Sequence, residues 1–188
     1  MILTILYSPY KREKKRFQSL SGENGFTLLE MMVTVAIIGI VAAIAIGSLN
    51  TLLPRYRVKS AARQIRADLQ KAKLEAVKQN RTALVDFTVA GGGNPGRCLT
   101  CFDTNSDNDC DDEAAGDVIT RLNMDDYPDS ELINPGFTNG NHFRFNSRGI
   151  PESDAGGLSS GSIDLNCISD SSYALSIVLA SSGRIRIN

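Results

Sequence analysis

From Met31 to Leu53 the chain carries no charged residue, and Pro54 closes the run. As a helix these residues, about 24 in number, would extend about 36 Å, enough to cross a bilayer core. After Pro54 the apolar residues Val58, Ala61, Ala62, Ile65, Leu69, Ala72, Ala76 and Val77 recur at spacings of three and four. That is one stripe of an amphipathic helix, continuing the first segment to about Asn80. Beyond Asn80 the period shortens to two. Val85, Phe87 and Val89 share one strand face, and Gly91 to Gly96 ends the run with a loop. Further strands are predicted at Arg97 to Phe102, Val118 to Leu122, His142 to Asn146, Ser162 to Cys167, Tyr173 to Ala180 and Arg184 to Ile187. Asp125 to Gly140 and Pro151 to Gly161, rich in Gly, Pro, Asn and Ser, read as loops. The expected fold is α+β: a long N-terminal α-helix with a hydrophobic first half, packed against a C-terminal antiparallel β-sheet head. Its segments are residues 26–54, 55–80 and 81–188.

Glu30 stands at the mouth of the apolar run. A carboxylate in such a place is expensive to bury, so it calls for a specific partner and reads as an assembly signal. Upstream, Lys11, Arg12, Lys14, Lys15 and Arg16 form a basic block. By the positive-inside rule that block leaves the N-terminus in the cytoplasm and sends the bulk of the chain outward in a single pass. An ordinary secretory signal is cut after its apolar core. Here the small residue, Gly25, precedes it, so a cut at Gly25 would keep the helix.

The run Gly25-Phe26-Thr27-Leu28-Leu29-Glu30 and the segment Val35 to Ile46 resemble the N-termini of type IV pilins and the related pseudopilins. The resemblance implies that residues 1–25 are a leader removed by a prepilin peptidase between Gly25 and Phe26. The new amine would be methylated, and Glu30 would pair with the terminal amine of a neighbouring subunit. It places the protein in a bacterial inner membrane and then in a periplasmic or extracellular filament of other pilins or pseudopilins. Gly47 stands where major pilins usually carry a helix-breaking proline, and glycine also weakens a helix, by about 1 kcal/mol relative to alanine. The β-rich head is similar to the FimT and GspH subgroup in Phe102-Asp103-Thr104-Asn105, Phe145-Asn146-Ser147-Arg148-Gly149 and Gly183-Arg184-Ile185-Arg186.

The whole chain has net charge −1, and loss of the basic leader makes it more acidic, so bulk charge does not single out a polyanion partner. Distribution is more informative. Arg55, Arg57, Lys59, Arg63, Arg66, Lys71, Lys73, Lys78 and Arg81 face only Asp68 and Glu75, a basic helix surface suited to acidic neighbours or lipid headgroups. Asp103 to Glu131, by contrast, is strongly acidic. Within it Asp103, Asn105, Asp107 and Asp109 place oxygen ligands at alternate positions, as a Ca2+ loop does, but Asn108 and Ala114 replace the turn Gly and the bidentate Glu of an EF-hand. A solvated loop stapled by cysteines is the plainer reading. Cys98, Cys101, Cys110 and Cys167 allow two disulfides in three pairings, and an oxidising compartment would preserve them. No thioredoxin-like pattern surrounds Cys98 and Cys101.

The C-terminal Gly183-Arg184-Ile185-Arg186 carries the most suggestive chemistry. In a hairpin turning at Ser181 to Gly183, period two puts Arg184 and Arg186 on one face and Ile185 and Ile187 on the other. Two guanidiniums side by side suit phosphate oxygens. The pattern resembles the Gly-Arg-x-Arg tail of FimT minor pilins that capture double-stranded DNA in natural transformation, with Arg144 and Arg148 as candidate extensions. Such binding is sequence-independent and salt-sensitive. The plainer alternative is an edge strand alternating charge for solubility. The competing functions are a structural minor pseudopilin of type II secretion and a minor pilin that primes assembly without binding DNA. No enzyme is expected: His142, the single histidine, reads as a surface strand residue, and no phosphate loop or nucleophile with its base is present.

Overall fold

The computed structural model describes residues 25–104, 108–110, 116–138 and 140–188. The leader through Asn24, with its basic block, lies outside them. Helix α1 runs over Leu28–Gln79, 52 residues, without a break at Gly47 or Pro54, so the weak point expected at Gly47 does not interrupt it. Pro54 deprives residue 50 of its helical donor. The helix begins at Thr27, whose hydroxyl accepts from Glu30 N at 3.2 Å and whose carbonyl accepts from Met31 N at 3.2 Å. It ends at Asn80, in the left-handed region at φ 52°. There Arg81 N reaches Ala76 O at 3.1 Å and Asn80 N reaches Val77 O at 3.3 Å, the paired bonds of a Schellman stop.

The described residues form nine strands: β1 (Ala83–Thr88), β2 (Arg97–Cys101), β3 (Val118–Asn123), β4 (Ser130–Phe137), β5 (His142–Phe145), β6 (Pro151–Glu152), β7 (Gly161–Cys167), β8 (Ala174–Leu179) and β9 (Ile185–Ile187). They build two antiparallel sheets, ordered β3-β2-β1-β5-β6 and β4-β7-β8-β9. The α+β expectation holds, with two corrections. Asp125 to Gly140, read as a loop, contains β4. Asn134-Pro135-Gly136 hides its alternation, because the register shifts between Ile133 and Gly136 and Asn134 sits at φ 48°. Pro151 to Gly161 contains the short edge strand β6, where a proline is tolerated.

The predicted helical stripe lies against both sheets. Val58, Ala61, Ala62, Ile65, Leu69, Ala72 and Ala76 are fully buried in one core with Val85 and Phe87 of β1, Phe143 and Phe145 of β5, Leu132 and Phe137 of β4, Ile163 and Leu165 of β7, and Ile177 of β8. Val77, predicted to join them, is 47% exposed. Val89 lies beyond the end of β1 and is 39% exposed. The sheets meet through phenylalanines: Phe137 lies 4.7 Å from Phe143 and 5.6 Å from Phe87, centroid to centroid. Such pairs contribute about 0.5–1.5 kcal/mol each beyond their area. The opposite face of the five-stranded sheet also carries buried apolar groups, Leu84, Leu99, Cys101 and Cys110.

One carboxylate lies in the helix–sheet seam. Asp68 is 6% exposed and accepts from Gln64 Nε2 at 3.1 Å. Burial raises its pKa, opposed by the Gln64 bond and the Lys71 charge. A carboxyl that holds its proton more tightly when folded stabilises the fold at low pH, and that contribution is lost as pH rises through the folded pKa. Asp68→Asn is therefore expected to flatten the pH dependence of urea unfolding across the carboxylate range and to raise stability at neutral pH. Leu69→Ala is expected to cost about 2–5 kcal/mol in the same assay, from lost transfer energy plus the cavity left behind.

Candidate functional site

The N-terminal part of α1 offers an unpartnered apolar surface. Over Leu28–Ile46, a stretch long and apolar enough to cross a membrane, none of the helix is buried. Gly25 and Phe26 are exposed just ahead of it. Glu30 occupies the third helical position after Thr27, the capping-box place for Glu, where the helix dipole also favours a negative charge. Thr27 is the residue that sequence reasoning left without a role, although Thr-x-x-Glu is a legible capping signal. The Glu30 carboxylate is exposed, and no side-chain partner is recorded for it among the described residues.

The basic stretch after Pro54 is partly neutralised by the head. Arg55 binds Asp170 at 2.8 Å and covers the Tyr173 ring at 5.4 Å, and Arg57 binds Asp129 at 2.5 Å. The Ser172 hydroxyl first, then Arg55, lowers the pKa of Asp170; the Ser169 hydroxyl first, then Arg57, does the same for Asp129. Arg81 pairs with Asp117 at 3.1 Å over the Phe102 ring.

At the C-terminus β8 and β9 form the predicted hairpin. Gly183 N donates to Ala180 O at 2.8 Å and Ala180 N to Arg184 O at 2.9 Å. Arg184 and Arg186 are exposed, Ile185 is buried and Ile187 half-buried. No ion pair is recorded for either arginine among the described residues. Gly183 has φ +75°, and a Cβ there would stand 2.8 Å from Gly149 O and 2.9 Å from Lys73 Nζ. Lys73 Nζ donates to Gly183 O at 3.0 Å. Thus the turn before Arg184 touches the turn after Arg148, and Arg148 is exposed. Lys73, read in the basic helix surface, and Gly149, read in a head motif, were not linked to Gly183 by the sequence reading, since only the fold brings them together.

Arg144 does not extend this surface. It lies on the outer face of β5 and pairs with Asp103 at 3.4 Å and Asp154 at 3.5 Å. His142, on the same face, meets Asp154 at 2.8 Å. Asp103 thus faces a guanidinium and also accepts from Asn108 N at 3.3 Å. Asn108 adopts the φ of 68° that glycine would take in a Ca2+ loop. Of the other candidate ligands, Asp109 is exposed, while Asn105 and Asp107 lie outside the described residues. Among the described residues no group of three or more metal-binding side chains is assembled.

Two disulfides were allowed by count and one is formed, Cys101–Cys110. Cys98 and Cys167 are buried free thiols in the main core. Strand alternation puts Cys98 and Cys101, three residues apart, on opposite faces of β2 and in different apolar clusters, so they do not act as a pair. Burial first, then Asp68 and Asp86, pushes the Cys98 thiol well above its usual pKa, which makes it a poor nucleophile.

A helix with a bare apolar first half, packed through its second half on an antiparallel β head, defines a type IV pilin-like subunit. The family model described as Type II transport protein GspH matches residues 61–183. The Prokaryotic N-terminal methylation motif matches residues 20–46. The chain belongs to the GspH family of minor pilins and pseudopilins, whose members are structural subunits. No curated protein matches it significantly. Among solved structures it is similar to the type IV minor pilin FimU of Pseudomonas aeruginosa PAO1. In space group P21 the TM-score is 0.49 at 15% identity, covering 71% of this chain and 90% of that one. In space group P65 the values are 0.47, 14%, 69% and 91%.

Proposed function

We propose that the protein is a minor pilin of a type IV pilus that binds DNA through Arg184 and Arg186 for uptake in natural transformation. A prepilin peptidase cuts after Gly25 and methylates Phe26. The leader stays on the cytoplasmic side of the inner membrane, and the apolar half of α1 moves from bilayer to filament core. There Glu30 pairs with the terminal amine of a neighbouring subunit. The bare apolar surface of Leu28–Ile46 supports the filament role, since a patch of that extent on a monomer marks an interface. The observation that carries DNA binding is the C-terminal hairpin, where Arg184, just ahead of β9, and Arg186 within it are both exposed at alternate positions. Guanidiniums so placed meet backbone phosphates without reading bases.

The match of residues 61–183 to the Type II transport protein GspH model supports a second reading, a structural pseudopilin whose head contacts other subunits and has no use for nucleic acid. An assembly-priming minor pilin shares the same filament mechanics.

Glu30→Ala is expected to abolish incorporation into filaments while leaving the circular dichroism of the head unchanged; normal assembly of this variant would remove the proposed pairing. For DNA, the full chain in neutral detergent should bind a duplex with an affinity that falls steeply with salt. Arg184→Ala/Arg186→Ala should flatten the log–log salt slope by about two units, at about 0.9 per phosphate contact. Absence of binding at low salt by the unsubstituted chain would leave the pseudopilin or priming role.

A further inference from the structure

We infer that the phosphate-binding surface is composite: Arg148, on the β5–β6 turn of one sheet, joins Arg184 and Arg186, on the β8–β9 hairpin of the other, through a clasp made by Gly149, Gly183 and Lys73. This rests on the DNA-binding reading above and adds to it a third guanidinium and the device that positions it.

Both turns are held in one shape. In the first, the Asn146 side-chain oxygen accepts from Arg148 N at 2.9 Å and Ile150 N at 3.0 Å, and Gly149 N donates to Asn146 O at 2.8 Å. The Asn146 amide in turn donates to Glu152. The second turn is closed by the Ala180, Gly183 and Arg184 backbone bonds already described. Each has a glycine at positive φ, +73° at Gly149 and +75° at Gly183, and each glycine lies beside its arginine in sequence.

The two glycines are also where the turns meet. A Cβ on Gly183 would come within 2.8 Å of Gly149 O, and a Cβ on Gly149 within 2.9 Å of Lys73 Cε. At Gly183, where the neighbour is a backbone oxygen, only bare backbone permits this approach. Lys73 reaches the junction from α1 and donates to Gly183 O at 3.0 Å, so its ammonium lies beneath both turns. That half-buried charge is held by a carbonyl, and its part is to position the turns. The exposed cations are the three arginines, and none has a recorded acidic partner among the described residues. Arg144, which sequence proximity would group with Arg148, is on the other face of its sheet and neutralised by Asp103 and Asp154. The ligand this edge fits is a run of phosphates on one nucleic-acid backbone, contacted from two rigid turns at once.

The test measures duplex DNA binding by the full chain in neutral detergent over a salt series. Arg148→Ala is expected to weaken binding about tenfold at fixed salt, the scale of one charge-assisted hydrogen bond, and to reduce the salt slope by about one unit. Arg148→Lys should keep the slope. Gly183→Ala changes no charge, yet by forcing the turns apart it should also weaken binding, with circular dichroism reporting that the head remains folded. If Arg148→Ala binds with the affinity and slope of the unsubstituted chain while Arg184→Ala is weakened, the composite site is overturned and the hairpin site stands. If the unsubstituted chain shows no salt-sensitive binding, both are overturned.

Discussion

The structure of the head depends on one helix face. Val58, Ala61, Ala62, Ile65, Leu69, Ala72 and Ala76 are completely withdrawn from solvent, in one core with side chains of both sheets. Four of the seven are alanines, and Ile65 and Leu69 are among the largest fully buried side chains. At about 25 cal/mol per Å² of apolar surface removed from water, this face is the main source of cohesion between the helix and the two sheets. It also explains the Schellman stop at Asn80, since the chain must leave the helix there to enter β1 on the same core.

The same helix has a different role ahead of Pro54. There, among the described residues, none of the apolar stretch Leu28–Ile46 is buried, so its burial has to come from outside the subunit. Glu30 belongs to that half. Its position in the first turn is electrostatically favourable for a carboxylate. One continuous element therefore carries an intermolecular surface and an intramolecular one, distinguished by where the charges begin.

Several charges of the head are internally matched. Asp129, Asp170 and Asp117 answer three arginines of the helix region, and Asp103 and Asp154 answer Arg144. These exposed and half-exposed pairs contribute little stability each. Outside these pairs Arg148, Arg184 and Arg186 stand exposed, as do Lys59, Arg63 and Arg66 of the helix.

The helix, its end, the hairpin and most strands were legible because each leaves a local period of 3.6 or 2 in the apolar positions. Strand β4 was not, because a proline and two backbone irregularities break its alternation. Val77 was misassigned for a related reason: periodicity identifies a face, but where that face stops being covered depends on what packs against it. Sequence by itself determined the signal around Gly25, the placement of Glu30, the division of the helix and the alternation of Arg184 with Ile185. Only the tertiary structure decided which cysteines pair, that Arg144 is neutralised, and that Gly183 rests on Gly149 and Lys73. Those residues are far apart in the chain, and contact between them is set by the register and packing of two sheets on one helix, which no local pattern encodes.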